Sequence, residues 1–91
     1  MEIKPSGNIT FLFTDIEGST RLSQEFPEAL KDALEIHNEI LNSTIESRKG
    51  FVFDISGDAF CAAFQEAADA ISVAVEIQKR LSNEQWKEAV I

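Results

Sequence analysis

The segment that most constrains the fold of this chain is residues 9–21, where a short apolar run ends at Asp15 and Gly-Ser-Thr begins three residues later. The β-branched and aromatic run predicts a strand over 8–14, buried on both faces. The Gly-Ser-Thr sequence predicts a turn, with Ser19 or Thr20 capping a short helix. A carboxylate would then lie at the end of a strand, beside a turn whose N–H groups point outward. This arrangement suits a divalent cation on the carboxylate and phosphate oxygens on the turn, and it indicates nucleotide chemistry.

The composition restricts the classes of protein and partner. Ninety-one residues predict one small domain, residues 1–91. Sixteen acidic residues against eight basic ones give a net charge of −8, so we expect no nucleic-acid partner. The single cysteine, Cys61, excludes an internal disulfide and fits a reducing compartment. Neither a signal peptide nor a membrane-spanning apolar run is present, so we expect no membrane partner and a cytoplasmic location.

The rest of the chain alternates helix-like and strand-like patterns. Apolar residues spaced by three and four after Pro27 predict a long helix that Gly50 ends. Two strand-like runs separated by Ser-Gly-Asp predict a β-hairpin. The predicted elements are a strand over 8–14, a helix to about Glu25, a helix over 27–48, strands over 51–55 and 59–64, a helix over 66–82 and a fourth strand over 86–91. This order predicts an α+β fold of the ferredoxin-like, split-βαβ type, with an antiparallel sheet and helices on one face.

The same patterns predict which side chains form the core. We expect His37 to be packed and hydrogen-bonded, and Cys61 to be a small core residue. The remaining predicted core residues are Leu30, Ala33, Leu34, Leu41 and Ile45 on the long helix; Phe11, Phe13, Phe51, Phe53, Phe60 and Phe64 on the strands; and Ala67, Ala70, Ile71, Ala74, Ile77, Gln78 and Leu81 on the last helix.

Two acidic residues are expected to meet at one edge of this sheet. In the predicted fold the first strand lies beside the hairpin, which brings Asp15 close to Asp58 at the hairpin turn. Two carboxylates in contact repel each other unless a cation lies between them. Two divalent ions about 3.5–4 Å apart could each contact both acids, one activating a 3′-hydroxyl and the other holding a triphosphate. Gly57 and Gly18 allow the tight turn and the close approach of backbone to phosphate.

Residues 10–22 (Thr-Phe-Leu-Phe-Thr-Asp-Ile-Glu-Gly-Ser-Thr-Arg-Leu) together with 57–64 (Gly-Asp-Ala-Phe-Cys-Ala-Ala-Phe) resemble the class III adenylyl and guanylyl cyclases. The resemblance implies an enzyme of cyclic-nucleotide signalling that converts ATP or GTP to a 3′,5′-cyclic nucleotide plus pyrophosphate with Mg²⁺ or Mn²⁺. It also implies dimers whose sites lie at the interface. The residues it implies are Asp15, Asp58 and the Ile16 carbonyl as metal ligands, and Glu17, Gly18, Ser19 and Thr20 as the phosphate-binding turn.

The chain departs from the family pattern in two places. Where the family often has a base-reading Lys, four residues before the second metal Asp, this chain has Asp54. An acceptor at that position leaves the choice between ATP and GTP open. The later Asn and Arg of the family should follow the fourth strand, so we expect residues 1–91 to be the first half of a catalytic domain, completed by a second copy or another partner.

Less specific interpretations apply to the same residues. Asp15 could cap a helix, Asp58 is a common hairpin residue, and Glu17 could be a solvated turn acid. The Asp-x-Glu-Gly sequence weakly resembles haloacid-dehalogenase-type phosphatases, in which Asp15 would be a nucleophile. The remaining alternative is a truncated, non-catalytic module that binds nucleotide or promotes dimerisation without turnover.

Overall fold

The computed structural model describes residues 7–84, which contain three strands and three helices. In chain order these are β1 (Thr10–Thr14), α1 (Ser19–Glu25), α2 (Pro27–Ser47), β2 (Phe51–Ser56), β3 (Ala59–Phe64) and α3 (Ala67–Asn83). The order and approximate bounds agree with the sequence prediction. The predicted fourth strand, residues 86–91, lies outside the described residues. Within residues 7–84, no helix is long and apolar enough to cross a membrane.

Strand β3 lies at the centre of the sheet. The strand order is β1-β3-β2, and both pairings are antiparallel, as the predicted hairpin and crossover require. The β1–β3 register pairs Thr10 with Phe64 and Thr14 with Phe60. The β2–β3 register contains a bulge between Val52 and Asp54. This pairing brings the end of β1 next to the start of β3.

The core lies between the sheet and the helices α2 and α3. Phe60 and Phe64 of β3 are fully buried, because alternate side chains of a central strand point to the helix-covered face. The helix residues packed against them recur at intervals of three and four, as expected for one face of a helix. The buried cluster comprises Ile40, Leu41, Ile45, Phe60, Ala62, Phe64, Ala70, Val73 and Ile77.

The opposite face of the sheet is left open by residues 7–84, and the prediction that β1 is buried on both faces was wrong. Exposed and half-buried residues alternate along β1, with Phe11 55% and Phe13 67% exposed. Phe53 is also exposed, and its ring lies 5.8 Å from that of Phe11, centroid to centroid. Cys61 is half-buried and not a core residue. Aromatic residues fall on both faces of this sheet, so their presence in a strand does not indicate burial.

The predicted core face of α3 was also partly wrong. Ala70 and Ile77 are buried as expected, but Val73 completes the buried face and Ile71 is 64% exposed. Apolar residues occur on more than one face of α3. Their spacing alone was therefore compatible with a buried face displaced around the helix by about one residue. Contact with β3 and α2 selects the face that contains Val73.

Helix α2 ends in a Schellman motif. The N–H of Lys49 donates to the carbonyl of Glu46 at 3.1 Å, and the N–H of Gly50 donates to that of Ile45 at 2.9 Å. Lys49, and not Gly50, adopts the left-handed conformation, with φ 62°. Gly50 is required for space, because a Cβ atom there would lie 2.5 Å from Cγ2 of Ile45 and 2.6 Å from Cε2 of Phe64.

We therefore expect Gly50→Ala to lower the free energy of unfolding by about 1–3 kcal/mol, since the added methyl group meets two side chains with no exposed surface. Urea denaturation monitored by circular dichroism measures the change. Lys79→Ala, on the exposed side of α3, is the control and should alter stability by about 0.5 kcal/mol or less. Equal stability of the Gly50→Ala variant and the parent chain would contradict this packing.

Candidate metal centre

Asp15 and Asp58 lie together at one edge of the sheet. Asp15 directly follows β1, and Asp58 directly precedes β3. Because these two strands are antiparallel neighbours, with Thr14 opposite Phe60, the end of one lies beside the beginning of the other. The sequence prediction that the two acids meet is therefore confirmed.

A backbone hydrogen bond positions Asp58 beside Asp15. The backbone N–H of Ile16 donates to Oδ2 of Asp58 at 2.7 Å, across 42 positions of the sequence. The carboxyl group of Asp15 and the hydroxyl group of Ser19 lie close enough to the Asp58 carboxyl to influence its pKa. These contacts close the turn after β1 onto the hairpin.

The pKa values of the two carboxyl groups shift in opposite directions. The hydrogen bond to Asp58 and the negative charge of Asp58 raise the pKa of Asp15 above its ordinary value. Partial burial raises the pKa of Asp58, but hydrogen bonds from the Ile16 N–H, the Asp15 carboxyl and other donors outweigh that effect and lower it. Of the two groups, Asp15 therefore holds its proton to higher pH.

The turn that connects β1 to α1 differs in detail from the prediction. Gly18 is the N-cap residue of α1, in the left-handed conformation with φ 73°, and no side chain among residues 7–84 caps the helix. Neither Ser19 nor Thr20 has the predicted capping function. The N–H of Ser19 donates to the Ile16 carbonyl at 3.2 Å, and its hydroxyl group lies near Asp58 and helps to lower the pKa of that carboxyl. Ser19 is therefore part of the site.

The acid pair fits a hard divalent cation. Such cations bind carboxylate and carbonyl oxygens, and the site offers Asp15, Asp58 and the Ile16 carbonyl, which has a second lone pair beside its bond to Ser19. Two adjacent carboxylates repel each other, so a cation between them would be favourable. Among the described residues, no third His, Cys, Asp or Glu joins a cluster that could hold a metal.

A cleft of about 600 Å³ adjoins the acid pair. Asp15, Ile16 and Glu17 form one wall, and residues of α2 and α3 form the others, among them His37, Leu41 and Ile77. His37 is buried and packs its ring edge-on against Phe60, with Nδ1 2.9 Å from the Asn38 side-chain oxygen. It is packed and hydrogen-bonded, as expected.

Asp54 is separate from the acid pair. It follows the bulge in β2 and lies opposite Cys61, which in turn lies opposite Phe13. Paired residues in adjacent strands share a face, so Asp54 belongs to the open face of the sheet, beside the exposed phenylalanines.

Two contributors to the site were missed from the sequence. One is Ser19 as a partner of Asp58. The other is Thr14, whose Oγ1 accepts a hydrogen bond from the N–H of Phe60 at 3.3 Å and links the two strands next to the acids. A hydroxyl residue ending an otherwise apolar strand, directly before Asp15, was the available signal for Thr14.

The chain is similar over nearly its whole length to known nucleotide cyclases. It is 33% identical over 87 residues to an adenylate cyclase of Neurospora crassa and 34% identical over 86 residues to one of Lachancea kluyveri. These matches cover 96% and 94% of this chain but only 4% and 5% of the relatives. A solved adenylate cyclase of Trypanosoma brucei, described in its monomeric state, superposes with a TM-score of 0.88 at 30% identity. That superposition covers 93% of this chain and 37% of the solved chain.

The family profile described as the adenylate and guanylate cyclase catalytic domain matches residues 1–86. This match covers the acid pair, the turn after β1 and the three strands described above. The chain belongs to the adenylate and guanylate cyclase catalytic domain family.

Proposed function

We propose that this chain contributes the metal-binding and phosphate-binding part of a purine nucleotide cyclase, which forms a 3′,5′-cyclic nucleotide and pyrophosphate. The contact between Asp15 and Asp58 carries the proposal, because it places two carboxyl groups at one point in a member of this family. Divalent cations, Mg²⁺ or Mn²⁺, would neutralise phosphate charge and lower the pKa of the attacking 3′-hydroxyl. The presence of a single cysteine, Cys61, fits a reducing, cytoplasmic location.

Different residues of the site would bind the metal ions and the phosphate groups. Asp15, Asp58 and the Ile16 carbonyl would hold the cations, and the Ile16 N–H would orient Asp58 toward them. The turn formed by Glu17, Gly18, Ser19 and Thr20 would lie against the triphosphate. Because the N–H of Ser19 already donates to the Ile16 carbonyl, its hydroxyl group is the donor that Ser19 would offer to Asp58 or to a phosphate oxygen.

ATP is the preferred candidate substrate, because the relatives described above are named adenylate cyclases. Asp54 is the candidate base-selecting residue. Its carboxylate can accept a hydrogen bond from the amino group of adenine or from the donors of guanine, so GTP is the second candidate.

A second copy of the chain is the candidate partner. The open face carries the apolar side chains Phe11, Phe13 and Phe53, an arrangement typical of an interaction surface. Asp54 lies on the same face, so a partner packed there would cover the candidate base-selecting position. Dimerisation through this face would complete a nucleotide site at the interface.

The alternative is a module that binds metal and nucleotide without turnover. The chain spans about a third of the solved cyclase chain that it matches, which favours testing binding and turnover separately. The intact mass of the native protein in its source cell decides which experiment should come next. A mass well above 10.1 kDa calls for an activity assay on that longer protein, whereas a mass of 10.1 kDa calls for a search for the partner that completes the site.

For the native protein, we expect Asp15→Asn to reduce cyclic-nucleotide formation from ATP in Mn²⁺ buffer by about 10²-fold or more, because a charged metal ligand is lost. Asp32→Asn makes the same chemical change on the exposed side of α2 and should leave the rate unchanged. Product is quantified by chromatography. Undiminished turnover in the Asp15→Asn variant would refute the metal-site assignment, and a covalent phospho-Asp15 would instead indicate a phosphatase.

If the acid pair binds a cation, the pKa of Asp15 should depend on the metal concentration. In the metal-free chain the pKa of Asp15 is raised, so its contribution to folding is greatest below the ordinary aspartate range and is lost as pH rises through that pKa. The lowered pKa of Asp58 acts oppositely, and its contribution is lost as pH falls through that pKa. Adding Mn²⁺ or Mg²⁺ should lower the pKa of Asp15, since a cation favours the carboxylate.

Carboxyl ¹³C NMR titration with Mg²⁺ measures this change in the 91-residue chain. Asp58→Asn should bring the pKa of Asp15 back toward the ordinary value and weaken Mg²⁺ binding. An Asp15 pKa that Mg²⁺ leaves unaltered would show that the pair does not bind the cation.

The open face predicts a dimer that depends on Phe13. We expect Phe13→Lys to shift the sedimentation of the native protein from dimer to monomer, because a charged side chain replaces an aromatic one in the interface. Ile71→Lys, at an equally exposed apolar position on α3, is the matched control and should not change the mass. A dimer that withstands Phe13→Lys would place the interface elsewhere.

A further inference from the structure

A second cleft, of about 300 Å³, lies between α2 and α3 and shares no lining residue with the cleft beside Asp15. Hydroxyl and guanidinium groups dominate its walls. They belong to Ser43, Thr44, Ser47, Ser72, Arg48 and Arg80. Two of the eight basic residues of a chain with net charge −8 therefore meet in one small cleft.

Arg80 is held in a fixed position in this cleft. Its Nη1 donates to Oγ1 of Thr44 at 2.7 Å and to Oγ of Ser43 at 2.9 Å. Both hydroxyl groups donate in turn to the carbonyl of Ile40, at 2.6 Å and 3.2 Å, which leaves their lone pairs to accept from Arg80. The guanidinium of α3 is thereby tied to the backbone of α2, and little side-chain freedom remains to be lost when a ligand binds.

The positive charge of Arg80 is not compensated within residues 7–84. Its partners there are neutral hydroxyl groups, and the only nitrogen with a partner in that range is Nη1. The ion pair formed by an arginine in the same range is that of Arg21 with Glu25, outside the cleft. Glu76 lines the cleft one helical turn before Arg80 but does not pair with it. Within the described part of the chain, Nε and Nη2 thus have no partner and can act as charged donors.

We propose that this cleft binds a compact oxyanion of the phosphate or sulfate class, anchored by Arg80. The planar guanidinium matches two oxygens of such an anion, and its charge strengthens each hydrogen bond. Arg48 supplies a second positive charge, and the Ser72 hydroxyl supplies a neutral donor. Glu76 opposes the anion and limits its affinity. The proposal uses no residue of the acid pair and does not depend on cyclase activity.

Inorganic phosphate is the probe, titrated into the ¹⁵N-labelled 91-residue chain at constant ionic strength and without divalent cations. We expect saturable amide shifts confined to residues 43–48 and 72–80. Arg80→Gln should weaken binding by about tenfold or more, and Arg80→Lys by less, because lysine keeps the charge but not the fork of donors. Glu76→Gln should tighten binding. Arg21→Gln, which removes an arginine outside the cleft, is the matched control and should bind as the parent does.

Arg80→Gln also removes the contact between the two helices, so two further variants keep that contact intact. Arg48→Gln and Ser72→Ala should each weaken phosphate binding while the rest of the spectrum is unchanged. Shifts that do not saturate or that spread over the whole surface would overturn the proposal. Parent-like affinity in the Arg80→Gln, Arg48→Gln and Ser72→Ala variants would do the same.

Discussion

The backbone N–H of Ile16 reaches Asp58 across 42 positions of the sequence, and it can do so only because β3 pairs with β1 along its whole length. The same central strand pairs with β2, so β3 positions both Asp15, which follows β1, and Asp58, which lies in the turn between β2 and β3. The buried side chains of β3, Phe60 and Phe64, anchor α2 and α3 on one face. Core packing and site geometry therefore depend on the same strand.

This pairing brings together two groups that repel each other at neutral pH. The hydrogen bond and the negative charge of Asp58 raise the pKa of Asp15, while the donors around Asp58 lower that of Asp58. A divalent cation between two carboxylates would relieve their repulsion. The proposed metal site depends on this proximity of the two carboxyl groups, in a chain that belongs to the adenylate and guanylate cyclase catalytic domain family.

Much of the fold was predictable because its signals are local. Pro27 begins α2, the Ser-Gly-Asp sequence forms the hairpin turn, and the helix periodicity is clear. The errors concern which face is covered. Phe13 was expected in the core and is exposed, and Ile71 was expected in the core where Val73 lies instead. Hydrophobicity measures the tendency of a side chain to avoid water, whereas burial depends on which other element packs against it.

The sequence by itself determined the elements, their order and the two acids at strand ends, because dihedral preferences and side-chain periodicity act over a few residues. It also carried the family motifs at residues 10–22 and 57–64. Only the tertiary structure decided that Ser19 lies beside Asp58, that Gly50 is needed for space and not for its left-handed freedom, and that Arg80 crosses from α3 to α2. Each of these depends on a distance between residues far apart in sequence, which is set when the helices pack on the sheet.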